Sequence, residues 1–239
     1  MSKTTFPKWL WYESLRLLIR LAATFVFQTR YTGQGNIPKT GGVLVVSTHQ
    51  SHLDPPLIGS GSSRQMRALA RDSLFRFKPL ALLIRSLNAI PIDREGIGLA
   101  GVKETLRQLK QGRMVLVFPE ATRTPDGEIG RLKPGFGSMA LRGKAAILPV
   151  VIEGAYDVWP RHKKFPGPGV IHVHYGPPIP PEQIAELGER ELVKEVRRRL
   201  CECQAMVRRR PVMAERVARR RTTDTGGTGS LPARVSRTG

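Results

Sequence analysis

Acidic residues are scarce in this chain: 19 Asp and Glu stand against 39 Lys and Arg over 239 residues, a formal net charge of +20. Such an excess points to an anionic partner: a membrane surface, a nucleic acid, or an acidic carrier or substrate. Cysteine is scarcer still, with Cys201 and Cys203 standing two apart in a helical pattern. They point in different directions, so neither a disulfide framework nor a zinc site is expected. A reducing, cytosolic-side location fits. Long apolar runs are missing from the N-terminal region. The longest uncharged stretch there, residues 21–29, is far short of the roughly 20 residues needed to span a bilayer. No small-residue cleavage site follows it, so no cleavable signal peptide is expected. Helix-turn-helix, zinc-spacing and RNA-binding aromatic signatures are also missing, which argues against a nucleic-acid partner.

What is present is an ordinary globular balance, 40% hydrophobic and 24% charged, at a length that suits one α/β domain with extensions. Residues 6–28 read as a helix or a bent helical pair. Glu13, Arg16, Arg20, Thr24 and Gln28 recur every three or four positions and share a face. The rest of that surface is apolar and aromatic, with Trp9, Leu10, Trp11, Leu15, Leu18, Ile19, Leu21, Phe25, Val26 and Phe27. Two readings fit: a helix lying in a membrane interface, which the basic charge and early aromatics favour, or an amphipathic helix packed on the domain.

Strand and helix patterns then alternate. Strands are expected at 43–47, 65–70, 89–92, 114–118, 146–152 and 170–175. Helices are expected from Pro55, over 74–87, over 99–109 ending at Gly112, over 136–142 and over 182–209. The alternation predicts an α/β fold, a single mixed sheet flanked by helices, with an N-terminal amphipathic segment and a basic, partly disordered tail. Domain boundaries are placed at 1–30, 31–206 and 207–239. From Arg208 onward nine arginines face Glu215 and Asp224, a net of +7 that leaves +13 on the body.

Three segments carry chemistry, each at the end of a strand, where α/β folds place ligands. In Ser47-Thr48-His49-Gln50-Ser51-His52-Leu53-Asp54-Pro55, a neutral His49 is available as a base near pH 7. Asp54, five positions on, reaches it only if the segment is a turn. It would then fix one ring nitrogen and leave the other to accept a proton. The competing reading makes Asp54 or Ser51 a helix N-cap. His49 and His52 lack a third ligand at suitable spacing, so no metal is expected. In Phe118-Pro119-Glu120-Ala121-Thr122-Arg123, Arg123 suits phosphate, and Glu120 is placed to orient it or a substrate hydroxyl. Lys133 follows the turn Pro125-Asp126-Gly127 and adds a cation near the same edge. The third segment, Ile90-Pro91-Ile92-Asp93-Arg94, brings Arg94 to the same edge if its strand adjoins the others.

Together these segments resemble the glycerophosphate and lysophospholipid acyltransferases, including the 1-acylglycerol-3-phosphate acyltransferases. The family's His, four residues, Asp motif is His49 to Asp54. Its second motif ends at Ile92-Asp93-Arg94, its third is Phe118 to Arg123, and its apolar-Pro motif is Leu148-Pro149-Val150. The resemblance covers residues 37–181. It implies transfer of an acyl chain from acyl-CoA or acyl-acyl carrier protein to the free hydroxyl of a lysophospholipid, 1-acylglycerol-3-phosphate first, with no metal or redox cofactor. His49 is then the base oriented by Asp54. Glu120, Thr122, Arg123, Arg94 and Lys133 bind the acceptor. The expected setting is the cytoplasmic side of a membrane, peripheral or monotopic, with an anionic phospholipid surface and an acyl carrier protein as partners. Thr48, Asn88 and Ala121 depart from the family pattern. They leave open another acceptor (glycerol-3-phosphate, another lysolipid, an aminolipid) or a relative without activity. At Ala121 a positive φ would cost about 1–2 kcal/mol.

Overall fold

The computed structural model describes residues 6–87, 89–92, 98–210 and 213. Arg94, and the tail expected to be disordered from Thr222, lie outside the described residues. The described residues contain seven strands: β1 (Arg30–Thr32), β2 (Val43–Ser47), β3 (Met66–Arg71), β4 (Ile90–Ile92), β5 (Met114–Val117), β6 (Ala146–Glu153) and β7 (His172–Tyr175). Their helices are α1 (Phe6–Phe27), α2 (Asp54–Gly61), α3 (Lys78–Ser86), α4 (Gly98–Lys110), α5 (Gly135–Gly143), α6 (Ala155–Val158) and α7 (Pro181–Arg208).

The strands form one sheet in the order β1-β7-β6-β2-β5-β3-β4. Neighbours are parallel except β6 and β7, so β1 and β7 run against the other five. The sheet is mixed, as expected. Its centre is the Val-rich run of β2 and the Met-Val-Leu-Val run of β5, whose residues are all buried. Alternate side chains serve opposite faces. Leu44, Val46, Val115 and Val117 meet residues of α5 and α7, such as Phe136, Met139, Val196 and Leu200. Val43, Val45, Leu116 and Leu148 meet Leu57 and Ile58 of α2. Helices on both faces explain why the central strands are apolar throughout rather than alternating.

Several elements differ from the sequence expectation. The segment 74–87 is a 3-10 turn over Asp72–Phe75 followed by α3. Pro79 sits in the first turn of α3, where proline is tolerated; inside one longer helix it would remove a hydrogen bond. Helix α7 is interrupted at Gly188, with φ 66° and ψ 172°, a conformation open to glycine. It runs on to Arg208, and Val207 and Met213 are buried, so the folded body continues past position 206. Strand β1 and helix α6 are short and polar or mixed, and had no periodic signature to find.

Helix α1 packs on α2 through buried Tyr12 and Ala23, with Glu13 and Arg16 half-buried beside them, while Arg20, Thr24 and Gln28 of the polar stripe stay exposed. Arg16 pairs with Glu13 at 2.6 Å and donates to the Ser62 carbonyl. Arg20 lies 5.3 Å over the Tyr31 ring, and the Tyr12 hydroxyl accepts the Met66 N–H at 3.2 Å. Trp9, Leu10, Trp11, Leu17, Leu18, Leu21 and Val26 are exposed, and Phe25 is 81% exposed. A helix packed on the domain in the usual way would show the opposite face to water.

Candidate active site

Strands β2 and β5 are neighbours in register, Val46 opposite Val117, so the turns that follow them emerge side by side. The β2 turn is short because three donors converge on one carboxylate oxygen. Oδ2 of Asp54 accepts the Gln50 N–H at 2.6 Å, the Ser51 N–H at 2.8 Å and His49 Nδ1 at 2.8 Å. Asp54 is therefore not the cap of α2. It is the first residue of that helix, Leu53 is the capping position, and no side chain caps it. The carboxylate reaches backward and winds the preceding five residues around itself. It is fully buried, and its other oxygen has no partner among the described residues. Ser51 uses its hydroxyl on the Trp159 carbonyl at 2.9 Å and accepts the Leu53 N–H at 3.3 Å.

With Nδ1 of His49 donating to Asp54, the ring carries its free lone pair on Nε2. The ring stacks on Phe118, centroids 3.9 Å apart at 16°, and its side chain remains 20% exposed. Phe118 sits at the C-terminal end of β5, so the neighbouring strand fixes the plane of the imidazole. No hydrogen bond involves Nε2 among the described residues. His52 packs at a tilt beside Trp159, centroids 5.4 Å apart. Desolvation, then the charges of Arg123 and His49, hold its pKa below the ordinary value against the pull of Asp54. A neutral His52 avoids a further cation beside His49 and Arg123.

Glu120 spends its carboxylate on the backbone. Oε1 accepts the His49 N–H at 3.3 Å and Oε2 the Gly130 N–H at 3.1 Å. Burial pushes its pKa up, while those two amides oppose the shift. The residue braces the β2 turn against the loop that leads to Lys133. The Thr124 N–H donates to the His49 carbonyl at 2.8 Å, and the Lys133 N–H to the Pro119 carbonyl at 2.9 Å. These bonds bring the Thr122-Arg123 loop and the Lys133 backbone to the His49 turn, with Thr122 and Lys133 exposed and Arg123 half-buried. Ala121 has φ 59°, the left-handed region that glycine occupies without strain. Strand β4, which precedes Arg94, is at the sheet edge, with β3 and β5 between it and β2.

A second layer escaped the sequence. The buried amide of Gln50 donates to the Gly127 carbonyl and to Oε1 of Glu153, both at 3.1 Å, and accepts the Tyr156 N–H at 3.1 Å. Glu153, at the end of β6, also accepts Gln204 at 2.6 Å and the guanidinium of Arg208 at 3.1 Å and 3.2 Å. Arg208 reaches on to Glu128 at 2.8 Å. The end of α7 is thereby tied to Gln50, the residue beside His49. A lone carboxylate closing an apolar strand was the available signal for Glu153, while Gln50 reads as filler and Arg208 as part of a basic tail. Among the described residues no three His, Cys, Asp or Glu side chains gather as a metal site requires.

Residues 28–153 match the sequence profile of a family described as Acyltransferase. The chain is 30% identical over 157 residues to the 1-acyl-sn-glycerol-3-phosphate acyltransferase of Bacillus subtilis, covering 65% of this chain and 76% of that protein. It is 32% identical over 190 residues to the corresponding protein of Pseudomonas aeruginosa, covering 75% and 71%. The crystal structure of the 1-acyl-sn-glycerophosphate acyltransferase from Thermotoga maritima superposes with a TM-score of 0.75 at 26% identity, covering 88% of this chain and 85% of that one.

Proposed function

The chain belongs to the acyltransferase family, and on that footing we propose that it moves an acyl chain from a thioester donor to the hydroxyl of 1-acylglycerol-3-phosphate, giving phosphatidate. The observation that carries the reading is the 2.8 Å bond from His49 Nδ1 to buried Asp54, with Nε2 left open on a partly exposed ring. Nε2 takes the proton of the acceptor hydroxyl as its oxygen attacks the thioester carbonyl. The tetrahedral intermediate collapses, the C–S bond breaks, and the leaving thiolate takes the proton back from Nε2 to depart as the thiol. A thiol pKa of about 8.5 makes it a far better leaving group than an alkoxide, so no covalent enzyme intermediate is needed. Asp54 stabilises the imidazolium that forms.

The donor is acyl-CoA or acyl-acyl carrier protein, both acidic and suited to a chain of net charge +20. Arg123, with Thr122, Lys133 and Arg94, takes the acceptor's phosphate, and no metal or redox cofactor enters the reaction. Glu120 holds the turn that carries the base. The exposed Trp9, Trp11, Leu18 and Phe25 of α1 lie in the interface of an anionic phospholipid surface, on the cytoplasmic side. Among the described residues no helix is long and apolar enough to cross a membrane, which supports a peripheral attachment.

The test is His49→Ala, assayed with radiolabelled acyl-CoA against a panel of lysolipids. Loss of a general base predicts a fall of about 10²–10⁴-fold in turnover with the fold and vesicle binding retained. Unchanged turnover ends the proposal. Transfer to a different lysolipid by the parent chain keeps the base and replaces the acceptor.

A further inference from the structure

A second apolar surface lies at the same edge of the sheet as the catalytic turn. Strand β3 runs parallel to β5, and β5 to β2, so the segment after β3 leaves from the edge that carries His49 and Glu120. That segment is the 3-10 turn Asp72–Phe75 and α3, which rests mainly on the turn itself. It presents Phe77 at 67% and Leu82 at 75% exposure, with Leu74 and Leu83 beside them. Leu99, at the first turn of α4, is 92% exposed. Exposed Arg76, Lys78 and Arg85 are interleaved with these side chains, against one acid, Asp72.

The end of α1 reaches that edge from the other side. The Phe27 carbonyl accepts the Ile171 N–H at 3.1 Å, next to β7. His172 at the start of β7 pairs with Glu153 at the end of β6, and β6 is parallel to β2. Exposed Phe25 and Val26 therefore flank the catalytic turn on the β7 side, and the α3 surface flanks it on the β3 side. Four strand spacings separate β7 from β3, about 19 Å. A partner meeting both surfaces at once is broad and apolar, with an anionic rim.

We infer that the Leu74–Phe77–Leu82–Leu83 surface is a second membrane contact, inserting into the headgroup region of an anionic phospholipid bilayer while α1 inserts on the other side of the catalytic turn. The inference rests on the interfacial reading of α1. One contact leaves a domain free to swivel about its anchor. Two contacts on either side of His49 press the catalytic edge onto the bilayer, where the hydroxyl of a lipid acceptor lies. Alternating cations and large apolar side chains suit that layer, with guanidinium and ammonium heads on lipid phosphates and the rings below them.

The test labels the full chain in a Cys201→Ser background, which removes the exposed thiol. Leu82→Cys and Phe25→Cys each carry an environment-sensitive fluorophore. Each is titrated with phosphatidylglycerol-containing vesicles, with pure phosphatidylcholine vesicles, and with acyl carrier protein in the absence of lipid. Blue shifts at both positions on the anionic vesicles, quenched by spin-labelled lipid, are expected. Phe77→Ser/Leu82→Ser is expected to weaken vesicle partition on the order of tenfold or more, with turnover of a monomeric short-chain acceptor unchanged. A response at position 25 without one at 82 overturns the second contact and leaves α1 in place. Silence at both overturns the membrane reading and the inference with it. A shift at 82 on acyl carrier protein alone makes the surface a protein-docking site and overturns the inference.

Discussion

Replacing Asp54 by Asn keeps the volume of the side chain and removes one charge from a fully buried site. Oδ2 of Asp54 receives three N–H groups within 2.6–2.8 Å, while Oδ1 has no partner among the described residues. An Asn has two ways to fill this place. With its oxygen toward the donors, its NH2 occupies the Oδ1 position, and an unpaired buried donor costs about 1–3 kcal/mol of stability. The bond to His49 persists but no longer stabilises the imidazolium. With its NH2 toward His49, Nδ1 must accept, the ring proton moves to Nε2, and the base is blocked. Either arrangement lowers turnover. The second alone predicts a loss near 10⁴-fold, about 5.5 kcal/mol at 1.36 kcal/mol per tenfold. The assay is thiol release from acyl-CoA with saturating acceptor, alongside a thermal melt. A variant that melts cooperatively and keeps kcat within about tenfold of the parent refutes the assignment of Asp54 as the residue that orients the base.

Two further outcomes follow from the geometry. Ala121→Gly relieves a left-handed residue worth about 1–2 kcal/mol and adds about 0.4–1 kcal/mol of unfolded-chain freedom. A net gain of about 0.5–1 kcal/mol, or roughly 2–4 °C per kcal/mol for a domain of this size, is expected in a thermal melt, and a lower Tm contradicts it. His172 is buried on β7, where burial, and then the charges of Arg210, His174 and Arg30, lower its pKa from 6.5 to about 4. Between those values the unfolded chain holds the extra proton, so stability falls as pH drops from about 6.5 toward 4 and is recovered on raising it. The group's share at pH 4.5 is about 2–3 kcal/mol. Urea unfolding at pH 7 and pH 4.5 checks it: the parent should lose that much more than His172→Gln, and equal losses contradict it.

The sequence by itself determined the elements whose signals are local. The Val-rich run of β2, the run of β5 and the amphipathic period of α4 are legible because burial on both faces, or on one, writes directly into residue order. The spacing from His49 to Asp54 pointed to a hydrogen-bonded pair, since five residues are enough to close a turn and too many to share a helix face. Proline and glycine act locally as well, yet their effect at Pro79 and Gly188 was to divide helices that the apolar period alone would have run together. What tertiary structure decided is everything that joins residues distant in the chain. Phe118 stacks on His49 because β5 lies beside β2, and Glu120 braces the turn for the same reason. Gln50, Glu153 and Arg208 meet only when β6 and α7 are packed together, so no spacing in the chain announces them. The facing of α1 also belongs to the fold. Its period showed two faces, but which residues touched the domain depended on Ser62 and Met66 standing where Arg16 and Tyr12 meet them.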